Sequence, residues 1–289
     1  MILPVTYRVT IVQRKRNMEM GVQAWWLSIS ILSVVNIAAW FLSVRIFLLR
    51  GPTINPNIYS SRKAMLWLSG IYTIGCAFRS FFPRIDLERI CLVDSWFSTI
   101  FVGRTVATLA ELSFIVLCVL LLREAGRGIN SRISLTISLV IMLLIVIAEA
   151  FSWYAAITTH YLGSVIEEAL WTIAGILLIT SFISLKPKVT GLHRHFLNAM
   201  IIFCLGYIIF MVTVDVPMYW KRWQEDITAG TQYLSFTQGL VDTTTSCMVN
   251  FSWDIWYEEI PWMTLYFTVA VWLGIYLPHA PDFKMRSRS

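Results

Sequence analysis

The chain has 289 residues and a net charge of +6; 57% of its residues are hydrophobic, only 14% are charged, and the mean hydropathy is +0.67. A soluble domain carries about a quarter charged residues, so a water-soluble globule, a disordered chain and a disulfide-knotted secreted module are all excluded. None could hide this much apolar surface behind so few charges.

A bilayer core about 30 Å thick needs roughly 20 apolar helical residues. Seven such runs follow in chain order, at 24–49, 64–83, 103–122, 133–154, 165–185, 197–217 and 260–277. The gaps hold helix-ending sequences such as Arg50-Gly51-Pro52 and Asn55-Pro56-Asn57. No run alternates with a period of two, which argues against a β-barrel. Helices are the other way to satisfy every backbone group in lipid. The expected fold is therefore all-α, an integral membrane bundle of seven transmembrane helices over 24–278. It is flanked by a basic tail at 1–23 and another at 279–289, with an aromatic outer cap loop at 218–259.

Positive residues are retained on the cytoplasmic side. Twelve Lys and Arg follow the first, third and fifth spans or lie in the C-terminal tail, against four after the second, fourth and sixth. This puts the N-terminus outside and the C-terminus in the cytoplasm. Arg8, Arg14, Lys15 and Arg16 run against the rule. Either translation starts at Met18 or Met20, or the short basic tail crosses regardless. The reading favours a plasma or inner membrane over that of an organelle.

Charge inside the spans carries the most information, because each such group costs about 2.5–3.5 kcal/mol at the bilayer centre on an insertion scale. The candidates are Arg79, Arg104, Glu111, Glu149, Glu167, Glu168 and Asp215. At about 1.5 Å per residue, Arg79, Glu149 and Glu167 lie roughly 6–9 Å below the outer ends of their spans, while Glu111 lies near the middle of its own. Arg104, Thr108 and Glu111 share one helical face, as do Glu149, Ser152 and Trp153. Arg79, Asp94, Arg104, Glu111, Glu149, Glu167 and Asp215 are thus expected to enclose an outward-facing polar cavity that binds substrate. Two alternatives stand beside it: Arg–Glu pairs that fix helix register and bind nothing, and a catalytic site.

The cap loop is rich in Trp and Tyr, which prefer the headgroup region. Its segment 234–251 suits an interfacial amphipathic helix, and the loop as a whole serves as a lid on the cavity or as a simple anchor. Before span three, the interleaved acids and bases of 83–90 predict either an outward extension of that span or a short interfacial helix. Glu258 and Glu259, followed by Pro261, mark the start of span seven. Cys91 and Cys247 both fall on the outer side, where a disulfide can form, and Asn250-Phe251-Ser252 fits a glycosylation sequon.

The four histidines fall at loops or span ends, so a bis-histidine haem and an intramembrane zinc site lack their ligands. No mid-span lysine is available for a retinal Schiff base, and nucleotide-binding loops and a hydrolase elbow are absent. No cofactor and no metal is expected. The basic charge belongs to loops facing anionic lipid and gives no support for nucleic acid. The expected partners are membrane lipid and either a small polar solute or a lipid headgroup. Transport or binding of such a solute, with proton coupling as one form of it, stands first. An intramembrane enzyme on a lipid-borne substrate and a non-catalytic sensor or assembly subunit stand beside it.

Overall fold

The computed structural model describes the backbone of residues 5–245 and 247–283, and their side chains from residue 19 onward. The side chains of Arg8, Arg14, Lys15 and Arg16, and residues Lys284, Arg286 and Arg288, lie outside this set.

The chain is a helical bundle: α1 (Val5–Arg50), α2 (Pro56–Phe81), α3 (Ile100–Gly128), α4 (Arg132–Thr158), α5 (Tyr161–Leu185) and α6 (Leu192–Phe210). Then come α7 (Val216–Ala229), α8 (Phe236–Asp242), α9 (Trp253–Trp256), α10 (Ile260–Leu265) and α11 (Val271–Tyr276). Local chemistry sets the ends. Asn55 caps α2 through the Asn57 N–H with Pro56 following, and Ser131 caps α4 through the Ser134 N–H. Thr159 and Gly230 close α4 and α7 in the left-handed region.

Six segments are long and apolar enough to cross a membrane: Glu19–Thr53, Ile100–Gly128, Arg132–Thr158, Tyr161–Lys188, Leu192–Ala229 and Ile260–His279. α2 is not among them, since it carries Arg62, Lys63 and Arg79. It is nonetheless packed inside the bundle, against α1, α3 and α11.

Two of these segments contain widened, π-helical turns, at Met211–Asp215 between α6 and α7 and at Tyr266–Ala270 between α10 and α11. The first has a clear cause. Pro217 has no N–H to donate and its ring crowds the carbonyl four residues back, so the turn before it opens. The helix nevertheless continues to Ala229, so the first twelve residues assigned to the cap loop belong to a helix instead.

The connection before α3 is no extension of that span: it is a hairpin followed by one short 3-10 turn, Trp96–Ser98, capped by Ser95 and carrying exposed Trp96 and Phe97. β1 (Arg84–Ile85) and β2 (Ile90–Cys91) form an antiparallel hairpin, joined in parallel by β3 (Met248–Val249). Arg89 turns the hairpin at φ 57° and donates to Asp242 (2.6 Å) at the end of α8. A Cys91–Cys247 disulfide ties the same two regions. Within 234–251 the helix is confined to Phe236–Asp242. There Gly239 lies so close to α4 that a Cβ would fall 1.9 Å from the Ile157 carbonyl oxygen.

Two apolar clusters fill the bundle, one joining α3 to α6 and the other joining α1, α2 and the α10–α11 segment; Phe114 of α3 packs against both. The charged residues gather at the end of this seam that holds the hairpin.

Candidate functional site: a charged cavity in the bundle

Glu111 is the centre. Its carboxylate accepts from Arg79 Nη1 of α2 (3.2 Å), Arg104 Nη2 two turns earlier on the same face of α3 (3.3 Å) and the Tyr266 hydroxyl (3.1 Å). The Arg79 guanidinium also lies over the rings of Tyr266 (5.3 Å) and Trp262 (5.6 Å). Arg104 reaches Asp86 of the hairpin (3.8 Å) and Glu167 of α5 (3.9 Å). These groups border a cavity of about 560 Å³, within the usual range for a small-molecule pocket.

The hairpin supplies part of the wall. Arg84 Nε donates to Asp86 (2.7 Å), and the Arg84 guanidinium lies against α3 where only glycine fits, since a Cβ on Gly103 would fall 1.3 Å from Nη1. Burial pushes Arg84 down to about 10. Burial also pushes the Asp86 carboxyl upward, but Arg84, Arg104, Arg79 and Arg89 together hold it below its ordinary value. Above the hairpin, Arg222 of α7 gathers Glu259 (2.6 Å), Glu258 (2.9 Å) and Glu88 (3.1 Å). Glu88 and Glu259 face the cavity.

Of the seven residues singled out from sequence, Arg79, Arg104, Glu111, Glu167 and Asp215 line this one cavity. Glu149 stands next to Glu111, accepting from the Thr108 hydroxyl (2.6 Å), which itself accepts from Trp153 Nε1 (3.1 Å). The helical-face pattern on α3 and α4 therefore brings the expected side chains together. Asp94 does not join them. The Leu92 N–H bonds back to the Pro83 carbonyl (3.2 Å), and the residues beyond turn outward, leaving Asp94 exposed. Of the cap loop 218–259, Tyr219 and Glu259 at its two ends line the cavity, and among the described residues the segment 230–250 contributes nothing to the lining.

Sequence reasoning missed Arg84, Asp86, Glu88, Glu259 and Tyr266 as site residues, and counted Glu168 as a charge without placing it in the site. Glu168 was the one with a usable signal, as a second carboxylate beside Glu167 in an apolar span. Arg84, Asp86 and Glu88 enter through the hairpin and Glu259 through a helix start, where no periodicity reports a shared face, and Tyr266 enters through the widened turn Tyr266–Ala270.

The lining is acidic on balance. Seven carboxylates face the cavity, at Asp86, Glu88, Glu111, Glu167, Glu168, Asp215 and Glu259, against Arg79, Arg84 and Arg104. Glu168 and Asp215 have no cation within ion-pair distance among the described residues, and Asp215 Oδ1 is buried without a hydrogen-bond partner. Below the charged belt the wall is apolar, built from residues such as Phe114, Cys118, Leu178 and Met200. Among the described residues no three His, Cys, Asp or Glu side chains converge to hold a metal ion.

Comparison of the chain with known protein families, curated proteins and solved structures finds no match.

Proposed function

We propose that this multi-pass membrane protein crosses the bilayer seven times, α2 included, with its N-terminus outside and its C-terminus in the cytoplasm. The charged cavity, on this reading, binds the polar or ionic group of a small ligand near the outer leaflet. Burying α2 among α1, α3 and α11 shields Arg62 and Arg79 from lipid, which is how a span of modest hydropathy is tolerated. One observation carries the binding role: ionised side chains from α2, α3, α5 and the α6–α7 turn meet around a shared space, and carboxylates are left over. A purely structural network has no use for a buried aspartate with an unpartnered oxygen.

Transport fits the arrangement as well as binding does. Glu149, with one oxygen engaged by Thr108 and the other unpartnered, is the group placed to carry a proton during a cycle. A second reading, catalysis on a lipid-borne substrate, draws support from the apolar floor beneath the charges and from Glu149 beside Glu111 as an acid–base pair.

The test is replacement of Glu167 and Asp215 by their amides in cells that lack the native chain. Retained folding with loss of solute uptake favours transport, and retained folding with altered lipid composition favours catalysis. Full activity of both variants would remove the cavity from the function.

A further inference from the structure

Among the described residues, the ring contacts and hydrogen bonds that join α6 to the C-terminal segment lie near the inner end of α6. There Phe196 meets Tyr276 (6.2 Å between ring centres) and His193 donates to the Asp282 carbonyl (2.8 Å). At the outer end Arg222 of α7 grips Glu258 and Glu259. Between these fastenings, among the described residues, no hydrogen bond, ion pair or ring contact passes from α6 to the segment 260–276. Side chains along this gap line the cavity and face outward at once. Ile202 is 71% exposed on one side, Leu265 43% and Val269 45% on the other.

Gly206, one turn beyond Ile202 on α6, also lines the cavity and has no atom within 4 Å of where its Cβ would stand. It is about 21 Å from the inner start of α6, inside a hydrocarbon core about 30 Å thick. The cavity therefore opens sideways at the depth of acyl chains. Both flanks of the opening carry the widened helical turns, Met211–Asp215 and Tyr266–Ala270, and such turns concentrate at functional sites.

The unpaired charge lies beside that opening. Asp215 is 6% exposed and within electrostatic reach of Glu168; the Tyr207 ring lines the same wall, and the Tyr219 ring lies beneath the Arg222 guanidinium (5.8 Å). The carboxylates do not converge as metal ligands do. Two acids among phenol rings suit a larger, softer cation, because ammonium groups are attracted both by carboxylates and by aromatic faces.

We infer that the occupant is a bilayer amphiphile with an amine headgroup, which enters sideways between α6 and the C-terminal helix. Its ammonium rests on Glu168 and Asp215, and its hydrocarbon lies over the apolar floor and out through the gap at Gly206. This rests on reading the cavity as a ligand site.

The test uses the full-length protein in detergent, titrated with phosphatidylethanolamine bearing a fluorescent acyl chain, phosphatidylglycerol with the same chain, and free ethanolamine. The amine lipid should bind at least tenfold tighter than the glycerol lipid. The double variant Glu168→Gln, Asp215→Asn should erase that preference. Gly206→Trp, and the milder Gly206→Leu, should slow entry of the amine lipid at least tenfold while leaving ethanolamine binding unchanged; open space at this position lets either variant fold.

Equal affinity for the two lipids overturns the amine assignment. Unchanged entry rates in both Gly206 variants overturn the sideways route. Binding of ethanolamine without either lipid overturns the amphiphile and leaves the cavity a ligand site. A folded protein that binds none of the three overturns both the inference and the reading beneath it.

Discussion

Two buried arginine–glutamate clusters occupy opposite ends of the bundle and are built to opposite standards. At the end that holds the C-terminal segment, Arg62 Nε donates to Glu124 (2.7 Å), its Nη2 holds the other carboxylate oxygen and the Pro281 carbonyl, and its Nη1 meets the carbonyls of Leu277, Pro278 and Ala280. Every nitrogen is engaged, and neither residue borders the cavity. At the hairpin end the contacts from Arg79 and Arg104 to acids run from 3.2 to 3.9 Å, Arg104 Nε is buried without a partner, and carboxylates outnumber cations around an open space. The same residue types serve as a lock at one end and as an incomplete coordination shell at the other. Satisfaction of hydrogen-bonding capacity, more than burial or charge, separates the two roles.

The comparison can be broken most forcefully at the lock. Arg62→Ala strands a buried carboxylate and frees the carbonyls that end the last helix, so it should destabilise the fold by about 3–5 kcal/mol, seen as a lowered melting temperature in detergent. Next in size is the staple at the hairpin end. Replacing Cys91 and Cys247 by Ser opens a loop between residues 156 apart in sequence and should cost about 2–4 kcal/mol, with reductant producing the same loss in the native chain.

At the hairpin-end cluster the sign should reverse. Asp215→Asn removes an uncompensated buried charge and should leave stability unchanged or raise it by up to about 1 kcal/mol, while ligand binding falls. A drop as deep as that of Arg62→Ala would place both clusters in one structural class. The smallest effect is at Asp86. Its folded carboxyl is held below the ordinary value, so as pH falls the unfolded chain takes up a proton there first. Its contribution is complete above about pH 4 and is lost as acid titrates the folded carboxyl; acid-melting curves of Asp86→Asn should lack that component.

Much of the hairpin-end site was legible in sequence because helices repeat. Arg104, Thr108 and Glu111 had to share a face, Glu149 and Trp153 likewise, and the hydrogen bonds through Thr108 follow that spacing. Arg84 and Asp86 were illegible as site residues, because a left-handed turn at Arg89 and pairing with β3 return the hairpin to the bundle by tertiary contact. Glu259 looked like an ordinary helix-start acid until Arg222 was seen to bridge it to Glu88. Arg62 read only as an inner-loop cation, since nothing local announces that four carbonyls from 215 or more residues away will surround it. The side opening was equally hidden: exposed apolar residues on α6 look the same in sequence whether they face lipid alone or lipid and a cavity together.

The most direct test is an experimental density map of the protein in a lipid nanodisc, resolved well enough to see water between Arg104, Glu167 and Asp215. The account predicts non-protein density touching Asp215 and Glu168, with an extended tail leaving past Gly206. A collapsed and dry pocket, with each carboxylate closed onto its own arginine as Glu124 is onto Arg62, would contradict it.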